Sequence, residues 1–81
     1  MQSRRVDWFR VLDDLKRLGF SLYAIEAQVS ITKSTLIGYK QGSEPKHRDG
    51  ERLIGFWCQS TNRAREELPT EVVALSAFQA K

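Results

Sequence analysis

Eighty-one residues with 41% apolar and 28% charged side chains fit one ordinary folded domain with a small core. No apolar run approaches the ~20 residues of a membrane span, and the start MQSRRVDW lacks the apolar run of a secretory signal, so neither is expected. The net charge of +3 is uneven: Met1 to Arg48 holds nine Lys or Arg against five Asp or Glu, Asp49 to Lys81 four against five, and the positive part favours a polyanionic partner.

Ser3, Arg4 and Arg5 come first and read either as a frayed, solvated start or as an arm that touches phosphates. A first helix is expected from about Val6 to Leu18. Trp8, Val11, Leu12, Leu15 and Leu18 recur at spacings of three and four and draw one apolar stripe. Asp7 in its first turn and Lys16 and Arg17 in its last suit the helix dipole. Gly19 suits a left-handed stop, with Phe20 folding back on Leu15.

Ser21 to Gln41, SLYAIEAQVSITKSTLIGYKQ, reads as two short helices with a tight turn between them. Ser21 and Thr32 are the cap residues, each able to accept a bond from an orphan backbone N–H. Phe20 with Ile25, and Ile31 with Leu36, have hydrophobic-staple spacing, which fixes the angle at which the chain joins each helix. Leu22, Ile25, Val29, Ile31, Leu36 and Tyr39 can close a core across the turn. Lys33, Ser34, Ile37, Gly38, Lys40 and Gln41 are left on a short, positive outer face. Gly42 and Pro45 stop the second of the two helices.

GSEPKHRDG, Gly42 to Gly50, is expected to be a loop, with Lys46, His47 and Arg48 as a basic cluster in it. A further helix is expected from about Asp49 to Ser60, with Leu53, Ile54, Trp57 and Thr61 on one face. Gly50 and Gly55 weaken it, and their use would be close approach to another backbone. The single Cys58 forms no internal disulfide, packs as a small hydrophobe and fits a reducing cytoplasm. Pro69-Thr70-Glu71 resembles a helix opening. Val72, Val73, Leu75, Ala77 and Phe78 then form an apolar segment too short to stand alone, which docks on its own domain, docks on a second copy or stays disordered.

Ser21 to Gln41 resembles the helix-turn-helix of the lambda-repressor and Cro-like (Xre-type) phage and bacterial regulators. Ile25, Val29, Ile31 and Leu36 fall at that family's apolar positions, and Ser34-Thr35-Leu36 in its small polar opening of the recognition helix. Two positions depart from it. Glu26 stands where the family usually has a small residue, and Ser30 where it usually has Gly, so Ser30 must adopt a turn conformation that Gly takes more cheaply. The segment EPKHRDGERLIGFW is similar to the stretch after the helix-turn-helix in small phage and prophage regulators. The resemblance covers about the first sixty residues. It implies an all-α, four- to five-helix, lambda-repressor-like domain over residues 1–61, with residues 62–81 as a tail whose short helix docks or dimerises.

The resemblance also implies roles. Thr32, Lys33 and Ser34 lie at the end of the recognition helix that enters the major groove in this fold. Lys33 would donate to guanine O6 or N7 and Ser34 to several base edges, while Thr32 either joins them or commits its hydroxyl to capping. Gly38 would allow close approach to a base. Ile37 would contact a thymine methyl or else belong to the core. Gln41 would read adenine, and Lys40 a phosphate. Ser21, at the start of the preceding helix, would offer N–H groups to a phosphate, and Lys46, His47 and Arg48 would hold the DNA backbone. Arg4 and Arg5 would be the arm in a minor groove.

Catalytic chemistry finds little support. His47 and Cys58 are eleven positions apart with no glycine-rich phosphate loop nearby. Asp13 and Asp14 are adjacent on a helix and point apart, and no Cys or His cluster has zinc spacing. The expectation is therefore a non-enzymatic, cofactor-free binder of double-stranded DNA: a homodimeric phage or prophage transcriptional repressor, cytoplasmic and associated with the nucleoid. Two alternatives stay open. The helix pair could be a protein-interaction module acting on a host or phage protein, or the chain could bind DNA for packaging or architecture without sequence preference.

Overall fold

Asp7 starts the first helix rather than lying within it. Its carboxylate accepts a bond from the Arg10 N–H at 3.2 Å, so helix α1 spans Trp8–Arg17. Val11, Leu12 and Leu15 are its buried positions, whereas Leu18, counted in the stripe, is half exposed beyond the helix end. Gly19 takes φ +103°, and the Phe20 and Gly19 N–H groups reach back to the Leu15 and Lys16 carbonyls at 3.1 and 2.9 Å. That is the Schellman closure expected there. The structure, a computed structural model, describes residues 2–74.

The Ser21 and Thr32 caps begin α2 (Leu22–Val29) and α3 (Lys33–Lys40). Their hydroxyls accept from the Ala24 and Thr35 N–H groups at 3.1 and 3.3 Å. Ile25, Ile31 and Leu36 of the two staples are buried, while Phe20 is half-buried against Phe56, ring edge to face at 5.0 Å. Between the helices Ser30 is left-handed, φ 59° and ψ 39°, the conformation that Gly adopts at less cost. Glu26 is only partly buried, and no fully buried side-chain polar atom lacks a partner among the described residues.

Helix α4 is longer than expected, His47–Thr61. It takes in the second half of the stretch read as a loop, so Lys46 is the residue before the helix and His47 and Arg48 stand in its first turn. Gly50 is buried against side chains, not backbone: an added Cβ would meet the Trp8 ring at 3.5 Å and Pro45 at 3.8 Å. Gly55 opens on nothing within 4 Å, so neither glycine serves a close backbone approach. Cys58 is half-buried and packs against the core.

The all-α expectation needs correction. The described residues are mostly helical, but they also hold a two-stranded antiparallel sheet of β1 (Gln2–Val6) and β2 (Thr70–Ala74), in register Gln2↔Ala74 through Val6↔Thr70. Pro69-Thr70-Glu71 therefore opens a strand rather than a helix. A 3-10 turn, Arg65–Glu67, leads into it. β-branched Thr70, Val72 and Val73 favour the extended conformation, and at this position they prevail over the helix-start signal. Ser3, Arg4 and Arg5 are part of β1 and not frayed. Leu75, Ala77 and Phe78 lie outside the described residues.

One core joins the helices. α4 packs on α1 and α2, and α3 on α1 and α2. Trp57 is fully buried among Leu12, Leu15, Ile25, Leu36 and Leu53, with Val6 and Leu68 of the strand region packed against the cluster. Its indole N–H donates to Asp14 Oδ2 at 3.0 Å, so the largest core side chain keeps its polar atom satisfied. No helix among the described residues is long and apolar enough to cross a membrane.

Trp57→Phe removes that donor and leaves a void, and should cost about 2–4 kcal/mol in urea unfolding. Asp14→Asn keeps an acceptor oxygen and should cost clearly less. Equal losses would mean that the carboxylate, not the packed indole, dominates.

Candidate nucleic-acid interface

Eight residues of α3 make two turns, and Leu36 and Tyr39 are the two that are buried. At 100° per residue, Ser34, Ile37, Gly38 and Gln41 then project on the opposite side. Ser34 and Gln41 are exposed, and Ile37 is half-buried outside the core cluster. Lys33 and Lys40 are seven residues apart and share one flank of the helix.

Each of these lysines meets an aromatic ring. Lys33 Nζ is 4.3 Å from the Tyr23 ring centroid, and Lys40 Nζ 5.8 Å from that of Phe9. Such contacts contribute roughly 0.5–1 kcal/mol at exposed sites. They hold the ammonium groups beside α2 and α1 without neutralising them. Tyr23 and Phe9 are 68% and 52% exposed, so the rings are part of the surface and not of the core. Phe9 escaped the sequence reading because it lies off the α1 stripe. A large aromatic at an off-stripe position is the signal that marks it.

Thr32 is exposed, but its hydroxyl serves the cap and also lies 2.8 Å from the Thr35 hydroxyl. Gly38 does not present open space. A Cβ there would lie 3.6 Å from Ser43 Oγ, and the Gly38 carbonyl accepts from Ser43 N–H at 3.0 Å. This is the closing turn of α3, completed by Gly42 at φ +115°.

Ser21, exposed at the start of α2, lines a cavity shared with Lys33 and Lys40. Lys46, His47 and Arg48 are all exposed at the start of α4. The positive charges of Lys46 and Arg48 at the positive end of the helix dipole repel it, and an anion at that end relieves the conflict. Asp49 supplies one negative charge there. The two N-terminal arginines are part of β1 and do not form a free arm. Arg4 donates to Thr70 Oγ1 at 2.8 Å, and Arg5 is 2.9 Å from Glu71 and 3.1 Å from Glu44. These bonds, Glu71 first, raise the Arg5 pKa above its usual value.

Tyr39 ties the end of α3 to the start of α4 through a hydroxyl that donates to Asp49 Oδ2 at 3.3 Å. Burial, and next the Asp49 charge, push the phenol above its ordinary value of 10.0. Among the described residues no three His, Cys, Asp or Glu side chains converge as metal ligands.

No family model, curated protein or solved structure matches this chain.

Gly38→Ala fills ordinary space beside Ser43, so it should raise stability by about 0.5–1 kcal/mol in urea unfolding. A loss of stability would mean that Ser43 does not accommodate the added methyl group. The raised Tyr39 phenol favours the folded state's neutral form, so its contribution is complete below the ordinary value of 10.0 and declines as pH rises past it. Denaturation measured from neutral to strongly alkaline pH should show a shallower decline for Tyr39→Phe than for the wild type.

Proposed function

We propose that this chain binds double-stranded DNA sequence-specifically through a lambda-repressor-like helix-turn-helix formed by α2 and α3. It acts as a homodimeric transcriptional repressor of the phage or prophage type, in the cytoplasm and on the nucleoid. The observation that carries this reading is the outer face of α3. Ser34, Ile37 and Gln41 project from it, Lys33 and Lys40 flank it, and neither lysine forms an ion pair among the described residues.

In this reading α3 enters the major groove by its N-terminal end. Lys33 leaves the Tyr23 ring to donate to guanine O6 or N7, giving up a contact of roughly 0.5–1 kcal/mol for a charged hydrogen bond. Ser34 bonds a base edge, Ile37 covers a thymine methyl, and Gln41 bonds an adenine edge. Lys40, Lys46, His47, Arg48 and the α2 N-terminus at Ser21 neutralise or bond phosphates on either side. A second copy on an adjacent half-site multiplies the affinity through effective concentration. Occupancy of a promoter is then enough to repress it.

The test is binding to the DNA upstream of the chain's own gene against a scrambled duplex, titrated across salt. A preference of about a thousandfold or more, with affinity falling steeply as salt rises, supports the reading. Equal binding to both duplexes points to an architectural role, and absence of binding at low salt to a protein-interaction module. Lys33→Ala should cost roughly 1–3 kcal/mol on the preferred site and relax specificity at about one base pair. Lys46→Ala should instead weaken all sequences alike and flatten the salt slope by about one. Indistinguishable effects of the two variants would overturn the assignment of base reading to α3.

A further inference from the structure

The cavity between α1, α2 and α3 has a composition that a DNA phosphate alone does not require. Its volume is about 360 Å³, within the range of small-molecule sites. Leu12 from α1 and Leu22 and Ile25 from α2 form an apolar floor. Three lysines contribute to its lining, Lys16 from α1 and Lys33 and Lys40 from α3, and the Lys33 ammonium lies 4.3 Å from the ring centroid of Tyr23, which also lines it. No Asp or Glu lines the cavity, and among the described residues none of the three lysines is in an ion pair.

We propose that this cavity binds a small amphipathic carboxylate, a hydrocarbon or aryl body with one anionic head, and that the bound ligand displaces DNA. The physical argument is complementarity in two parts. A neutral hydrocarbon gains from the floor but nothing from the lysines, and a cation is repelled by them. A bare phosphate gains from the lysines but leaves the floor wet. A molecule with an apolar body and an anionic head satisfies both. Lys33 and Lys40 cannot serve the ligand head and DNA at once, so the two occupants exclude each other. The effector site would thereby lie inside the DNA-binding unit itself. The displacement rests on the DNA-binding reading; the ligand site itself does not.

The test uses the full chain and octanoate below its micelle-forming concentration, with 1-octanol and octyltrimethylammonium as neutral and cationic counterparts. Amide shifts in ¹H–¹⁵N spectra should saturate with octanoate and centre on Leu12, Leu22 and Ile25, with clearly weaker binding of the other two compounds. Lys16→Gln lies outside the proposed DNA contacts and should weaken octanoate by about two- to fivefold, the effect of one exposed ion pair, with DNA affinity unchanged. Shifts that do not saturate, shifts spread evenly over the surface, or equal binding of octanoate and octanol would overturn the site. The displacement is read separately, as a rise in the apparent Kd for duplex DNA in proportion to octanoate occupancy. Simultaneous, independent binding of both would overturn it. Saturable octanoate binding by a chain that binds no DNA at any salt would uphold the site and overturn the switch together with the DNA-binding reading.

Discussion

Helices of eight residues do not persist alone in water, where roughly 12–15 residues are marginal even for good helix formers. Both α2 and α3 have that length. The outward face of α3 therefore exists only because its inward face is held. Leu36 is fully buried and Tyr39 nearly so, in a core to which α1 contributes Leu12 and Leu15, α2 Ile25 and Val29, and α4 Leu53 and Trp57. A weakened core would remove the surface along with the fold, since nothing local replaces it. The caps at Ser21 and Thr32 and the left-handed Ser30 then set the angle between two helices that packing alone would leave looser.

Among the described residues the ion pairs involve arginines and no lysine, although Arg48 is also left without a carboxylate partner. Arg5, Arg10, Arg17 and Arg65 pair with carboxylates of the chain itself, Arg65 with Glu51 through two bonds of 2.8 and 2.6 Å. The Arg65 partnership holds the Glu51 carboxyl below its usual range. A planar guanidinium suits such fixed geometry. The lysines on the α3 flank and in the adjoining cavity have no carboxylate partner among the described residues. Surface ion pairs add little to stability, so the division has its main effect on what remains to attract an anion. The positive charge of the first forty-eight residues is thus partly internal, and its uncommitted share is concentrated around α2, α3 and the start of α4.

Local signals in the sequence were enough for what local chemistry decides. Caps at Ser21 and Thr32 and the stop at Gly19 depend on residues within one or two turns, and apolar spacing alone marks Ile25, Ile31 and Leu36 as inward-facing. The strands do not. Gln2–Val6 has a single large apolar residue, and its partner Thr70–Ala74 lies more than sixty positions away. Periodicity carries no information about such a pairing, though the β-branched Thr70, Val72 and Val73 were a signal for extension. The aromatic partners of Lys33 and Lys40 were equally hidden, because Phe9 and Tyr23 lie on other helices. The surroundings of Gly38 were hidden for a similar reason: the space beside it belongs to Ser43, and that depends on how α3 closes.

The sheet that the sequence concealed also bears on the candidate interface. A two-stranded sheet is marginal by itself, and this one is anchored. The Asp7 N–H donates to the Pro69 carbonyl at 2.9 Å, beside the Asp7 cap of α1. Val6 and Leu68 pack against the core. Arg5 then reaches from β1 to Glu71 on β2 and to Glu44 in the segment joining α3 to α4. That segment leads directly to Lys46 and the exposed start of α4. Arg4 and Arg5 thus tie β1 to β2, and Arg5 also holds the segment after α3 through Glu44.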